Sequence, residues 1–157
     1  MPVSNQTAPP EGFSLVEVLI AITVIGALLA IALPSFNSYK EQQKISVAVA
    51  DLRVLDNRIK SYKLNNEKLP PALSDLPQLA PSDPWGRSYA YLNIEDADAT
   101  TKSQVRKDKN LVPINSDFDL YSKGPDGETT PPLTAKNSLD DIVRANDGGY
   151  FGVAAKY

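Results

Sequence analysis

The sequence predicts an α+β protein in which a long N-terminal helix packs, by its second half, on a small antiparallel sheet. Three observations lead there. Residues 13–36 form an apolar run broken by a single charge, Glu17. A one-sided helical pattern continues from that run to about residue 66. Beyond it, short aromatic and alternating segments are separated by turns rich in Pro, Gly and Asp.

Residues 1–12 (MPVSNQTAPPEG) are polar, contain three prolines and end in Gly12, which reads as a flexible leader. The following 24 residues would make a helix of about 36 Å, enough to cross a bilayer core of ~30 Å. The run is long for the apolar core of a secretory signal, and no small-residue cleavage site follows it.

From Phe36 and Tyr39 the apolar positions continue through Ile45, Val49, Leu52, Leu55, Ile59 and Tyr62. Lys40, Glu41, Lys44, Asp51, Arg53, Asp56, Arg58, Lys60 and Lys63 fall between them and predict a charged opposite face. Asn65-Asn66 followed by Leu69-Pro70-Pro71 predicts a stop near residue 66. Pro34 removes one helical hydrogen bond and is predicted to bend or loosen the helix there.

Strand candidates follow at 88–92 (SYAYL), 117–122 (DFDLYS) and 149–154 (GYFGVA). Asp83-Pro84-Trp85-Gly86 is a turn cluster. Residues 93–116 read as a long loop whose basic run at 102–109 is solvated, and residues 123–148 as irregular chain. The organisation is thus a leader (1–12), a transmembrane or assembly helix (13–36) and a globular domain (37–157).

Composition excludes several functions. Without Cys or His there is no thiol chemistry, no His acid–base catalysis, no disulfide staple and no ordinary zinc site. A net charge of −3 does not point to nucleic acid. No pair or triad of side chains reads as catalytic. Trp85 and the tyrosines read as packing residues. Glu17 is costly in an apolar spanning helix, which makes it a functional candidate unless it snorkels to the membrane surface.

Gly12-Phe13-Ser14-Leu15-Val16-Glu17, with the apolar run that follows and Pro34 inside it, resembles the precursor signature of type IV pilins and pseudopilins. The resemblance implies cleavage after Gly12 by an inner-membrane prepilin peptidase, methylation of the new N-terminal Phe13, and assembly through Glu17. Cutting there would leave an α-amine four residues, or about 6 Å, from Glu17. A neighbour's amine would offer that carboxylate its opposite charge. Such head-to-tail contacts do not close on themselves and generate helical filaments.

Asp83-Pro84-Trp85-Gly86-Arg87-Ser88-Tyr89-Ala90-Tyr91 is similar to the D-P-W-G-x-x-Y-x-Y segment of the major pseudopilins of type II secretion. Phe118-Asp119-Leu120-Tyr121-Ser122-Lys123-Gly124-Pro125-Asp126-Gly127 is similar to their F-D-L-x-S-x-G-x-D-G segment, and Asp140-Asp141-Ile142 to the acidic triplet after it. In that branch the acidic loop binds calcium. The resemblance carries carboxylate ligands onto Asp126, Asp140 and Asp141, and carbonyl ligands onto Lys123 and Val143. Hard oxygen donors suit calcium, and residues 117–147 hold seven acids against three bases. A solvated acidic loop is the alternative, and the 13 residues between Asp126 and Asp140 leave the ligand set open.

The leader carries Glu11 where the family has a basic residue, and Lys40, Lys44 and Arg53 lie on the far flank. Charge alone would place the flank after the helix in the cytoplasm; the motif implies the opposite. The resemblance thus implies a non-enzymatic filament subunit, single-pass in the inner membrane, its globular domain periplasmic. Its implied partners are further copies of itself, minor pseudopilins, the peptidase and an inner-membrane assembly platform. A surface pilin for adhesion or twitching, or a membrane-tethered binding module, is the alternative.

Overall fold

A computed structural model describes residues 12–157, apart from the side chains at 34 and 99. The expected leader therefore lies outside the described residues, except for Gly12. The chain divides at Lys40 into two compact units.

Helix α1 runs from Leu15 to Asn66, 52 residues, close to the expected span. Its start is fixed by Ser14 and Glu17. The Glu17 N–H donates to Ser14 Oγ at 3.2 Å, and Glu17 Oε2 accepts from the Ser14 N–H at 2.8 Å. This reciprocal capping box satisfies two groups that the first turn would otherwise leave unpaired. Its end follows from Glu67, whose φ of 60° takes the backbone out of the helix. In the first unit α1 is apolar and uncovered, and it is long enough and apolar enough to cross a membrane. The bend expected at Pro34 falls on one of the two residues whose side chains lie outside the described set.

In the second unit one face of α1 is buried. Ala48, Leu52, Leu55 and Ile59, spaced four, three and four apart, are wholly inaccessible. They pack with Leu69, Leu76, Tyr89, Phe118, Leu120 and Ile142 into one core. Each fully buried Leu, Ile or Phe contributes about 1.5–3 kcal/mol. Two readings of the helix are corrected. Phe36 and Tyr39 are exposed, so the buried stripe begins only near Ile45. Asp56, counted on the charged face, lies on the buried one.

The strands are β1 (Ala90–Asn93), β2 (Phe118–Ser122), β3 (Ile142–Ala145) and β4 (Tyr150–Val153). They form one antiparallel sheet in sequence order. Three strands coincide with expected segments. β3 was read as irregular chain because four residues buried on both faces show no alternation and include an arginine.

The sheet has a second covered face. Val143 and Ala145 of β3 pack there with Ile114, Leu133 and Ala154. The loop expected over 93–116 is therefore packed in part, and its 102–109 run is not wholly solvated. These residues include a short helix α2 (Ala99–Lys102) capped by Asp98, and they bury Val105, Arg106, Ile114 and Asn115. The signal was weak because the apolar residues of this segment are scattered without a period.

Candidate functional site

The two globular motifs meet through Asp83 and Ser122. Asp83 is buried in the turn after Pro81, where its Oδ1 accepts from the N–H groups of Trp85 at 3.1 Å and Arg87 at 2.8 Å. Its Oδ2 accepts from the Ser122 hydroxyl at 2.6 Å, joining the turn to β2. The turn then anchors on α1. Trp85 Nε1 donates to Glu41 Oε1 at 2.8 Å, and the Tyr89 hydroxyl donates to Asp51 Oδ2 at 2.8 Å. The Tyr91 hydroxyl donates to the Pro70 carbonyl at 2.8 Å. Burial pushes the pKa of both tyrosines above their ordinary value, so they stay neutral donors. These are packing roles, as expected.

At the N-terminal site, Gly12 has no heavy atom near its Cα face and Phe13 is 88% exposed, directly before α1. Glu17 is in the first turn, where a carboxylate interacts favourably with the helix dipole. Its cap on Ser14 went unread, although S-x-x-E at 14–17 is a sequence signature for it.

The acidic loop opens after β2. The Lys123 carbonyl accepts from the Gly127 N–H at 3.2 Å and closes a turn. Asp126 is exposed; its Oδ1 accepts from the Glu128 N–H at 2.8 Å, and its own N–H donates to Asp140 Oδ2 at 3.2 Å. Val143 lies inside the sheet, between Tyr121 and Gly152. Asp141 is 0% exposed and turns inward. Its Oδ2 accepts from Arg106 Nη2 at 2.5 Å and from the Thr129 hydroxyl at 2.6 Å. Burial raises the Asp141 carboxyl to about 6, against the pull of Thr129 and Arg106.

Several curated relatives of this sequence share one description. The type II secretion system core protein G of Escherichia coli (strain K12) is 29% identical over 143 residues, covering 78% of this chain and 86% of the relative. The Aeromonas hydrophila protein of the same description is 31% identical over 139 residues, covering 75% and 85%. The chain belongs to the type II secretion system core protein G family, the major pseudopilins. The type IV major pilin protein PilE of Neisseria gonorrhoeae is also similar, at 26% identity over 146 residues, covering 90% of this chain and 86% of that pilin. No family model matches the chain, and no solved structure does. The long helix packed on an antiparallel sheet is a pilin-like α+β fold.

Calcium can be tested against this family member's own geometry. The ion takes six to eight oxygens at close range. Among the described residues no three acidic side chains gather closely enough to hold a metal. Asp126 and Asp140 are turned to backbone N–H groups and Asp141 to Arg106. In this arrangement the residues do not fit the ion. Arg106, at 2% exposure, is the site residue that sequence reasoning missed, because it sits in a basic run read as solvated. Lys102 and Lys109 of the same run are exposed as expected.

Proposed function

We propose that the chain is a structural, non-catalytic subunit of the short filament of a type II secretion system. A prepilin peptidase removes residues 1–12, and Phe13 becomes the methylated N-terminus. The helix of residues 13–36 waits in the inner membrane, with the globular domain in the periplasm. An assembly platform then transfers that helix into the filament core, beside further copies and minor pseudopilins. The observation that carries this reading is the uncovered apolar stretch of α1 over 15–36, whose one ionisable side chain is Glu17 in the first turn. An apolar surface of that length needs lipid or other helices around it. The Phe13 amine of one subunit would then meet Glu17 of the next and relieve a buried charge.

The similarity to a type IV pilin favours a second reading, a surface pilus. A deletion strain separates the two. Loss of secreted proteins into the medium, restored by the wild-type chain, is the expected result. Intact secretion with loss of twitching would assign the chain to a surface pilus.

A further inference from the structure

Residues 117–147 carry a surplus of acids, and Asp141 among them sits with no solvent contact, so its carboxylate needs a partner inside the fold. Two guanidinium groups arrive there. Arg106 comes from the segment between β1 and β2, and Arg87 from the Asp83–Arg87 turn.

Arg106 is buried and contacts the loop at Thr129, Thr130 and Asp141. Nη2 donates to Asp141 Oδ2 at 2.5 Å, and Nη1 donates at 2.6 Å to both Thr129 Oγ1 and the Thr130 carbonyl. Its backbone N–H donates to Asp119 Oδ2 at 2.6 Å, and its guanidinium lies 4.5 Å from the centre of the Tyr121 ring. Arg87 Nη2 donates to the Gly124 carbonyl, and the same guanidinium lies against Gly127. The two cations therefore bond positions 124, 129, 130 and 141, between the first turn of the loop and the start of β3.

We infer that in this chain Arg106, assisted by Arg87, is a built-in counter-ion that holds the acidic loop in place of a bound divalent cation, so that the globular domain folds without calcium. The loop's geometry agrees with a guanidinium and not with an ion. A planar fork reaches a carboxylate, a hydroxyl and a carbonyl in separate directions. A calcium ion would draw the same oxygens into one sphere. Asp141 Oδ1 is buried without a partner, as are Arg87 Nε and Arg106 Nε, so the fit rests on the Nη groups; a single free oxygen does not complete a shell of six. The functional consequence concerns concentration. A bound ion stabilises in proportion to the logarithm of its concentration and is lost to a chelator. A covalently attached cation is present at any ion concentration. This inference does not depend on which filament the chain serves.

The test uses the full chain in non-ionic detergent, melted with Trp85 fluorescence as the probe, in chelator and in ~10 mM calcium, well above the millimolar range of weak extracellular sites. The expected result is the same Tm in both. A rise in Tm of several degrees with calcium would overturn the inference. Arg106→Met is expected to lower Tm in chelator by about 10 °C, since it leaves the Asp141 carboxylate buried and unpaired. Arg106→Met with Asp141→Asn should recover most of that loss, because no unpaired charge remains. Wild-type melting of Arg106→Met would show that the guanidinium holds nothing, and would also overturn the inference. If Arg106→Met does not fold, the wild-type comparison in chelator and calcium still decides.

Discussion

Arg144 Nε donates to Asp56 Oδ1 at 2.6 Å, joining β3 to α1 across 88 residues of chain. The arginine has no accessible side-chain surface. Its Nη1 and Nη2 reach the two oxygens of Asp117 at 2.8 and 2.7 Å, and Nη1 also donates to the Phe118 carbonyl at 2.9 Å. The guanidinium lies 3.9 Å from the centre of the Phe118 ring.

Removing one member of a buried, hydrogen-bonded charge network is costly because the others stay buried and unpaired. Arg144→Met is expected to lower the unfolding free energy by about 3–5 kcal/mol. Asp56→Ala should cost less, since Arg144 keeps Asp117. Urea unfolding followed at Trp85 measures both. A loss below ~1 kcal/mol for Arg144→Met would show that the network contributes only packing.

Gly124 and Gly86 form a paired test of the acidic loop. Both have positive φ, +62° and +85°. At Gly86 an added Cβ meets nothing within 4 Å, whereas at Gly124 it would collide with the Asp140 carbonyl oxygen. Gly86→Ala is expected to cost only the ~1–2 kcal/mol of a left-handed backbone. Gly124→Ala should cost clearly more, because main chain must move. Equal melting temperatures for the two variants would contradict that close approach.

Asp119 gives the domain an unusual pH response. Burial raises its pKa in spite of hydrogen bonds from the Arg106 N–H and Asn115 Nδ2. The unfolded chain releases that proton near pH ~4, while the folded chain holds it to higher pH. Between the two values the folded state binds more protons, so this group's contribution is largest below pH ~4 and is lost as pH rises. Asp119→Asn should therefore cost more at pH ~4 than at pH ~7. Chemical denaturation at both pH values checks the sign, and a cost that grows with pH would reverse the assignment.

Much of the fold could be read from the sequence, for physical reasons that differ by element. The span of α1 was legible because a 24-residue apolar run and a 3.6-residue stripe are strong periodic signals, and Asn66 with two nearby prolines ends them. β1, β2 and β4 were legible from aromatic content. β3 was not, because Arg144 is buried by partners far away in sequence, Asp56 and Asp117. The same reason hid Arg106. A charged residue in a polar segment looks solvated until the fold brings an Asp141 to it. In the acidic loop the residues themselves could be listed from the motif. Their directions could not, since Asp126, Asp140 and Asp141 each turn to a different partner.

Glu17→Leu isolates the proposed assembly charge. The substitution makes the helix more apolar and removes one side of the Ser14 cap, so membrane insertion and the globular fold should persist. Filament formation should fall sharply. Electron microscopy of sheared cells, with total chain measured alongside, separates lost assembly from lost protein. Normal filaments from Glu17→Leu would show that the carboxylate is dispensable.

The most direct test of the filament account is the intact mass and N-terminal fragmentation of the chain recovered from assembled filaments. The account predicts a single N-terminus at monomethylated Phe13, with Gly12 and everything before it gone. Assembled chain that retains residues 1–12, or that begins after residue 36, would contradict it.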